Sequence, residues 1–199
     1  MNIYHYTKGI SINSIFTDGF IATERKRGLS SISKNTDCVW LTEKSQFPKT
    51  ALPFISQMPE TNLRIHMNNN VYVNLHKLSE FVGGVYRFSF DSSDSRFEKW
   101  RFSNARKVVE NNIEWRHMES IANKVGDEVR SFWISESDVV LSNFTLEHFE
   151  NGTWNTLLHH CSLSKLSDDE KRLIEKITSR SLSICQAYGL PAHQVKKAA

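Results

Sequence analysis

The hydrophobic positions of this chain change period several times, and each change predicts an element. Ile3-Tyr4-His5-Tyr6-Thr7 is a run of β-formers starting almost at the first residue, which predicts a strand. Ile10, Ile12, Ile15 and Phe16 follow and Asp18-Gly19 closes them, which predicts a short helix with a glycine stop. Residues 22–36 are polar and basic and read as a loop. Cys38-Val39-Trp40-Leu41-Thr42 predicts a second strand. Between Ser45 and Gln57, Pro48 and Pro53 limit any helix to a short piece.

Three further β-like runs are Leu63-Arg64-Ile65-His66, Val71-Tyr72-Val73 and Gly84 to Phe90. In the last, Val85/Arg87/Ser89 alternate with Tyr86/Phe88/Phe90, the period of a half-buried strand. Asn68-Asn69-Asn70 is a turn signal. Leu75 to Phe81 reads as a short helix ended by Gly83-Gly84, and Asp94 to Trp100 and Ala105 to Asn111 as helix or turn. Trp115, Met118, Ile121, Ala122 and Val125 recur at helical steps before Gly126. Ser131 to Ser135 and Val139 to Leu141 are strand candidates. Phe144 to Phe149 and Thr153 to Leu158 flank Asn151-Gly152, a hairpin signal. Ser167-Asp168-Asp169-Glu170 is a capping box opening a helix that runs to about Tyr188, where Gly189-Leu190-Pro191 stops it. The expected organisation is an α+β body over 1–158 and a C-terminal helical appendage over 159–199, the latter a docking or self-association element. No internal repeat is visible.

Composition narrows the class. A chain of 199 residues can bury one sizeable core, and 39% hydrophobic with 11% aromatic content excludes a disordered chain. No apolar run nears the ~18 residues that span a bilayer, so no membrane role is expected. Met1 to His5 has neither a basic start nor an apolar segment, so no secretory signal is read and the expected location is cytoplasmic. Cys38, Cys161 and Cys185 show no CxxC spacing and no disulfide framework. A net charge of +3 falls short of a dedicated nucleic-acid binder, and Glu24-Arg25-Lys26-Arg27 reads as a solvated loop.

Most common chemistries are excluded by motif. His159-His160 are adjacent and do not naturally chelate one ion, and no HExxH or Cys/His ligand spacing occurs, so no metal is expected. GxGxxG, P-loop and GxSxG patterns are absent. Polar residues set into strands remain: His5, Thr7, Trp40, Thr42, Arg87, Ser135, Glu136 and Asp138. A histidine donor, an aromatic platform and one carboxylate suit cleavage of a glycosidic bond to a good leaving group, through a positively charged, oxocarbenium-like transition state. Trp100, Trp133 and Trp154 read as packing residues.

Tyr4-His5-Tyr6-Thr7, Ile15 to Phe20 and Val39-Trp40-Leu41-Thr42 resemble the opening of ADP-ribosyltransferase-fold proteins. The closest likeness is to the His-Tyr-Asp/Glu branch of bacterial toxins, phages and mobile elements. Val85-Tyr86-Arg87-Phe88, Trp100, Gly126, Trp133, Asp138 and the hairpin Glu147 to Trp154 extend the likeness, which covers roughly residues 3–154. The resemblance implies a split β-sheet core with flanking short helices and NAD as substrate. His5 would bind the nicotinamide ribose with Thr7 beside it. Trp40 and Thr42 would lie on the strand before the nicotinamide-stacking aromatic; no tyrosine matches the one in the pattern, since Trp40 occupies that strand and Tyr72 and Tyr86 lie elsewhere. Asp138, or Glu136, would be the catalytic carboxylate. Arg87 would meet the pyrophosphate, since a guanidinium suits phosphate oxygens. The implied activity is mono-ADP-ribosyl transfer, or NAD glycohydrolysis, on a protein or nucleic-acid acceptor. The alternatives are an RNA 2′-phosphotransferase-like enzyme and a catalytically inactive interaction module.

Overall fold

A computed structural model describes residues 1–23, 38–48, 64–67, 70–73, 83–101, 116, 119–120, 122–124 and 126–187. Among the described residues the protein is a mixed α+β chain in which antiparallel strands dominate and helices are few. The chain opens with strand β1 (Asn2–Lys8), helix α1 (Gly9–Asp18), β2 (Phe20–Ile21) and β3 (Val39–Thr42). It continues with β4 (Arg64–Met67), β5 (Asn70–Val73), β6 (Val85–Asp91) and β7 (Glu98–Lys99). It closes with β8 (Phe132–Ser135), β9 (Val139–Val140), β10 (Phe144–Glu150), β11 (Thr153–Cys161) and helix α2 (Asp168–Ala187).

Contacts divide the chain into two units, each made of three stretches. The first comprises Met1–His5, Ile21–Pro59 and Phe90–Val139; the second comprises Tyr6–Phe20, Glu60–Ser89 and Val140–Ala199.

In the first unit the strand order is β1-β3-β8-β7. Tyr4 pairs with Thr42 across β1 and β3, and Val39, Trp40, Leu41 and Thr42 pair with Ser135, Ile134, Trp133 and Phe132. Glu98 and Lys99 pair with Ile134 and Trp133. Partners directly opposite share a face, so alternation along each strand sorts the side chains. One face carries Trp40, Ile134 and Phe132, which pack with Cys38, Trp100 and Val129 into an apolar cluster. Trp40 lies 4.9 Å from the Trp100 ring and 6.1 Å from Phe132. Asp94 to Phe97 forms turns, and its chain then enters β7.

In the second unit the order is β6-β10-β11. The Asn151-Gly152 turn closes the β10–β11 hairpin with both residues at positive φ (53° and 81°), as a type I′ turn requires. Two register shifts interrupt the ladder between Phe144 and Glu147, and the strand runs through position 158 to Cys161. Phe16 of α1, Phe88 and Phe144 form an aromatic triangle with centroids 5.6–6.5 Å apart. Helix α1 exists because Ile12, Ile15 and Phe16 recur on one side, and Gly19 at φ 79° ends it with its N–H on the Ile15 carbonyl. Helix α2 begins at the expected capping box: Glu170 accepts from the Ser167 N–H at 2.7 Å, and Ser167 Oγ accepts from the Glu170 N–H at 3.3 Å. Its stripe of Ile174, Ile177 and Ser181 is buried, and the helix packs on α1.

Strands β4 and β5 form the expected antiparallel pair, Met67 opposite Asn70, and positions 68 and 69 of the expected turn lie outside the described residues. The helix expected at Leu75–Phe81 and the helix or turn expected at Ala105–Asn111 lie outside the described residues, as does Gly189. Of Trp115–Val125, the described residues Arg116, Glu119, Ser120 and Ala122–Lys124 are helical. No described helix is long and apolar enough to cross a membrane.

Candidate functional site

His5 sits in the middle of β1 and is only 8% exposed. Its Nδ1 lies 2.9 Å from the Trp40 carbonyl oxygen. A carbonyl only accepts, so Nδ1 carries the proton, and in the neutral ring Nε2 is the lone-pair nitrogen. Thr7, two residues along the strand, is also buried.

The other predicted residues each carry a local duty. Trp40 is part of the aromatic core described above. Thr42 Oγ1 is 3.1 Å from Ser131 Oγ and accepts from the Lys44 N–H at 3.1 Å. Asp138 lies between β8 and β9, and its Oδ1 accepts from the Thr23 N–H at 3.0 Å. Glu136 is exposed in the bend just after β8. Arg87, in the second unit, holds Glu147 through two parallel bonds, Nε to Oε2 at 2.6 Å and Nη2 to Oε1 at 2.8 Å. Its guanidinium lies 4.3 Å from the centre of the Trp154 ring. Burial works against the charged guanidinium, but Glu147 and the Tyr6 hydroxyl outweigh it and hold the Arg87 pKa above its ordinary value. Arg87 is therefore committed within the protein.

Register decides which of these residues share a face. Thr42 faces the same way as Tyr4, so His5, the next residue of β1, faces the other way. Trp40 and Thr42 lie two apart on β3 and share the face opposite His5. The register therefore does not bring the side chain of His5 together with those of Trp40 and Thr42: a backbone contact joins His5 to Trp40, whose half-buried indole packs against Cys38, Trp100 and Ile134 on the far side.

The residues on His5's face form a different set. Leu41 lies there, and across from it Trp133, then Lys99 on β7. Glu43 continues the alternation of Val39 and Leu41 just beyond β3, where its N–H donates to the Ser131 carbonyl at 2.9 Å. Trp133 Nε1 donates to Glu43 Oε1 at 3.0 Å, and Lys99 Nζ donates to the same oxygen. Lys99 Nζ also lies 5.1 Å from the centre of the Trp133 ring. Glu43 and Lys99 keep 27% and 25% of their side-chain surface, so the group sits where the buried face meets solvent. Burial raises the Glu43 pKa, but the hydrogen bonds from Lys99 and Trp133 and the charges of Lys99 and Lys44 outweigh it and hold the carboxyl below its ordinary value. Lys44 is itself paired with Glu128 at 2.7 Å. The face thus combines a histidine of fixed tautomer, an indole and an ionised carboxylate.

Sequence reading passed over Glu43 and Lys99 and took Trp133 as packing. The available signal was the period of two carried one step past Thr42. Among the described residues no group of three or more His, Cys, Asp or Glu is arranged to hold a metal ion.

No protein-family model, curated protein or solved structure matches this chain.

Proposed function

We propose that this protein transfers ADP-ribose from NAD to a protein or nucleic-acid acceptor, on a split-sheet body of the ADP-ribosyltransferase kind. One observation supports the reading above others. The three strands that carry Tyr4-His5-Tyr6-Thr7, Val39-Trp40-Leu41-Thr42 and Trp133 to Ser135 are far apart in sequence, yet they are successive neighbours in the first unit. The β8–β9 turn that follows carries Glu136 and Asp138.

The chemistry needs few groups. The bond from ribose C1′ to the nicotinamide nitrogen breaks, and its electron pair leaves with that nitrogen. A carboxylate stabilises the positive charge left on the ribose. His5, its ring held by Nδ1 on the Trp40 carbonyl, is the candidate residue for the nicotinamide ribose. The sequence candidates for the carboxylate are Asp138 and Glu136. Trp40 and Arg87 take no part in this reading, because the core and Glu147 respectively occupy them.

A second reading, an inactive module of the same fold, has one observation in its favour: Trp40, Thr42 and Asp138 are each tied into the framework. Incubation with NAD labelled in the adenosine part, plus a cell lysate, separates the two. The transferase reading expects label on macromolecules or release of free nicotinamide, and loss of both in His5→Ala. Absence of both in the wild type, with no NAD-dependent rise in melting temperature, refutes it and leaves the module. A 2′-phosphorylated oligonucleotide in the same assay tests the RNA 2′-phosphotransferase-like alternative.

A further inference from the structure

The strand register puts one ionised carboxylate on His5's side of the first unit, and it is neither acid of the β8–β9 turn. Glu43 lies one step beyond Leu41, and both face the same way as His5. In a regular ladder the diagonal from His5 to this position spans roughly 7–8 Å between Cα atoms. Asp138, whose Oδ1 accepts from the Thr23 amide, and Glu136, in an exposed bend, lie in the turn after β8 rather than on this ladder.

We infer that Glu43 supplies the carboxylate that stabilises the ribosyl cation, with Trp133 and Lys99 as its positioning residues. The inference rests on the NAD reading above. Both donors converge on one oxygen, Oε1, from two different strands. These two contacts anchor Oε1, and in the proposed site Oε2 is the oxygen that meets the ligand. Lys99 lies against the Trp133 indole as well as Glu43, so the three side chains lock one another. When the C1′–nitrogen bond breaks, its electron pair neutralises the positive nicotinamide ring as it departs. The acceptor's nucleophile donates a lone pair to C1′, and its proton passes to Oε2 and then to water. Charge and atoms balance with no further reagent.

The experiment follows nicotinamide release from NAD by wild type, Glu43→Gln, Lys99→Gln, Asp138→Asn and Glu136→Gln, with circular dichroism melts of each. Glu43→Gln should lower kcat by about a hundredfold or more while KM for NAD moves by less than about threefold, as expected for a group that acts on the transition state. Lys99→Gln should shift the acid limb of the kcat–pH profile to higher pH, because the carboxylate loses its main counter-charge while its burial remains. A purely structural ion pair would lower the melting temperature in both variants and leave that limb in place, which overturns the assignment. A greater loss of kcat in Asp138→Asn or Glu136→Gln than in Glu43→Gln overturns it too. If Glu43→Gln fails to fold, Glu43→Asp replaces it: it keeps the charge but pulls the oxygens back by one methylene, and an undiminished kcat refutes the role. A wild type that releases no nicotinamide refutes the NAD reading itself, a result distinct from all of these.

Discussion

Breaking the Arg87–Glu147 pair should be among the most damaging single changes in the second unit. The two side chains are 8% and 14% exposed, and the contact is bidentate, at 2.6 and 2.8 Å. Glu147→Gln removes the negative partner and leaves a guanidinium desolvated beneath Trp154. Loss of one partner of a buried pair costs about 3–5 kcal/mol, because the remaining charge has no water to turn to. Arg87→Met should cost a similar amount, since it also forfeits the stacking on Trp154, worth about 0.5–2 kcal/mol. With a urea slope of about 2 kcal/mol per molar, each single variant should lower the unfolding midpoint by about 2 M. The double variant Arg87→Met/Glu147→Leu removes both charges and should return to within about 1–2 kcal/mol of wild type. Urea unfolding followed by tryptophan fluorescence measures all three. Two single variants that each cost under about 1 kcal/mol would show that the pair is solvated, and additive costs in the double variant would show that the partners do not interact.

Three further outcomes follow from local geometry. Cys161 donates its thiol hydrogen to Glu170 Oε1 at 2.9 Å, and burial followed by that bond pushes its pKa from 9.0 up to about 11. The thiol should therefore alkylate about a hundredfold more slowly at pH 8 in the folded than in the urea-unfolded protein, as read by mass spectrometry at Cys161; because the folded state keeps its proton longer, the associated stability, on the order of 2 kcal/mol, is present below pH 9 and lost as pH rises towards 11. Gly9→Ala should destabilise by roughly 1–3 kcal/mol or more in thermal melts, because an added Cβ would sit 1.9 Å from the Gly83 carbonyl oxygen, and backbone must move to admit it. Ser167→Ala should cost about 1 kcal/mol by removing the hydroxyl that caps the Glu170 amide, and an unchanged melting temperature would show that the capping box contributes nothing.

Elements with a local signature were legible in the sequence. The Asn151-Gly152 hairpin, the Gly19 helix stop and the Ser167/Glu170 cap each encode their geometry within a few residues. Strand β7 was not, because Glu98-Lys99 is two charged residues long and carries no period. The site residues were half legible. His5 in an early strand could be picked out, but its company could not, because faces depend on register and register depends on pairing across dozens of residues. Tyr4 opposite Thr42 is the pairing that separates His5 from Trp40 and joins it to Glu43. A single-residue slip there would have reversed the grouping.

The threading of the chain has a consequence for synthesis. Strand β1 leaves the first unit and enters the second between His5 and Tyr6, and β6 makes the return journey between Ser89 and Phe90. Neither unit is a contiguous stretch that one scissor cut could release, and a fragment ending at 158 stops inside β11. As the polypeptide emerges from a ribosome, the first unit waits for Val139 and the second for helix α2 before either is complete. Strand β1, which carries His5, thus emerges well before the stretches that complete its unit.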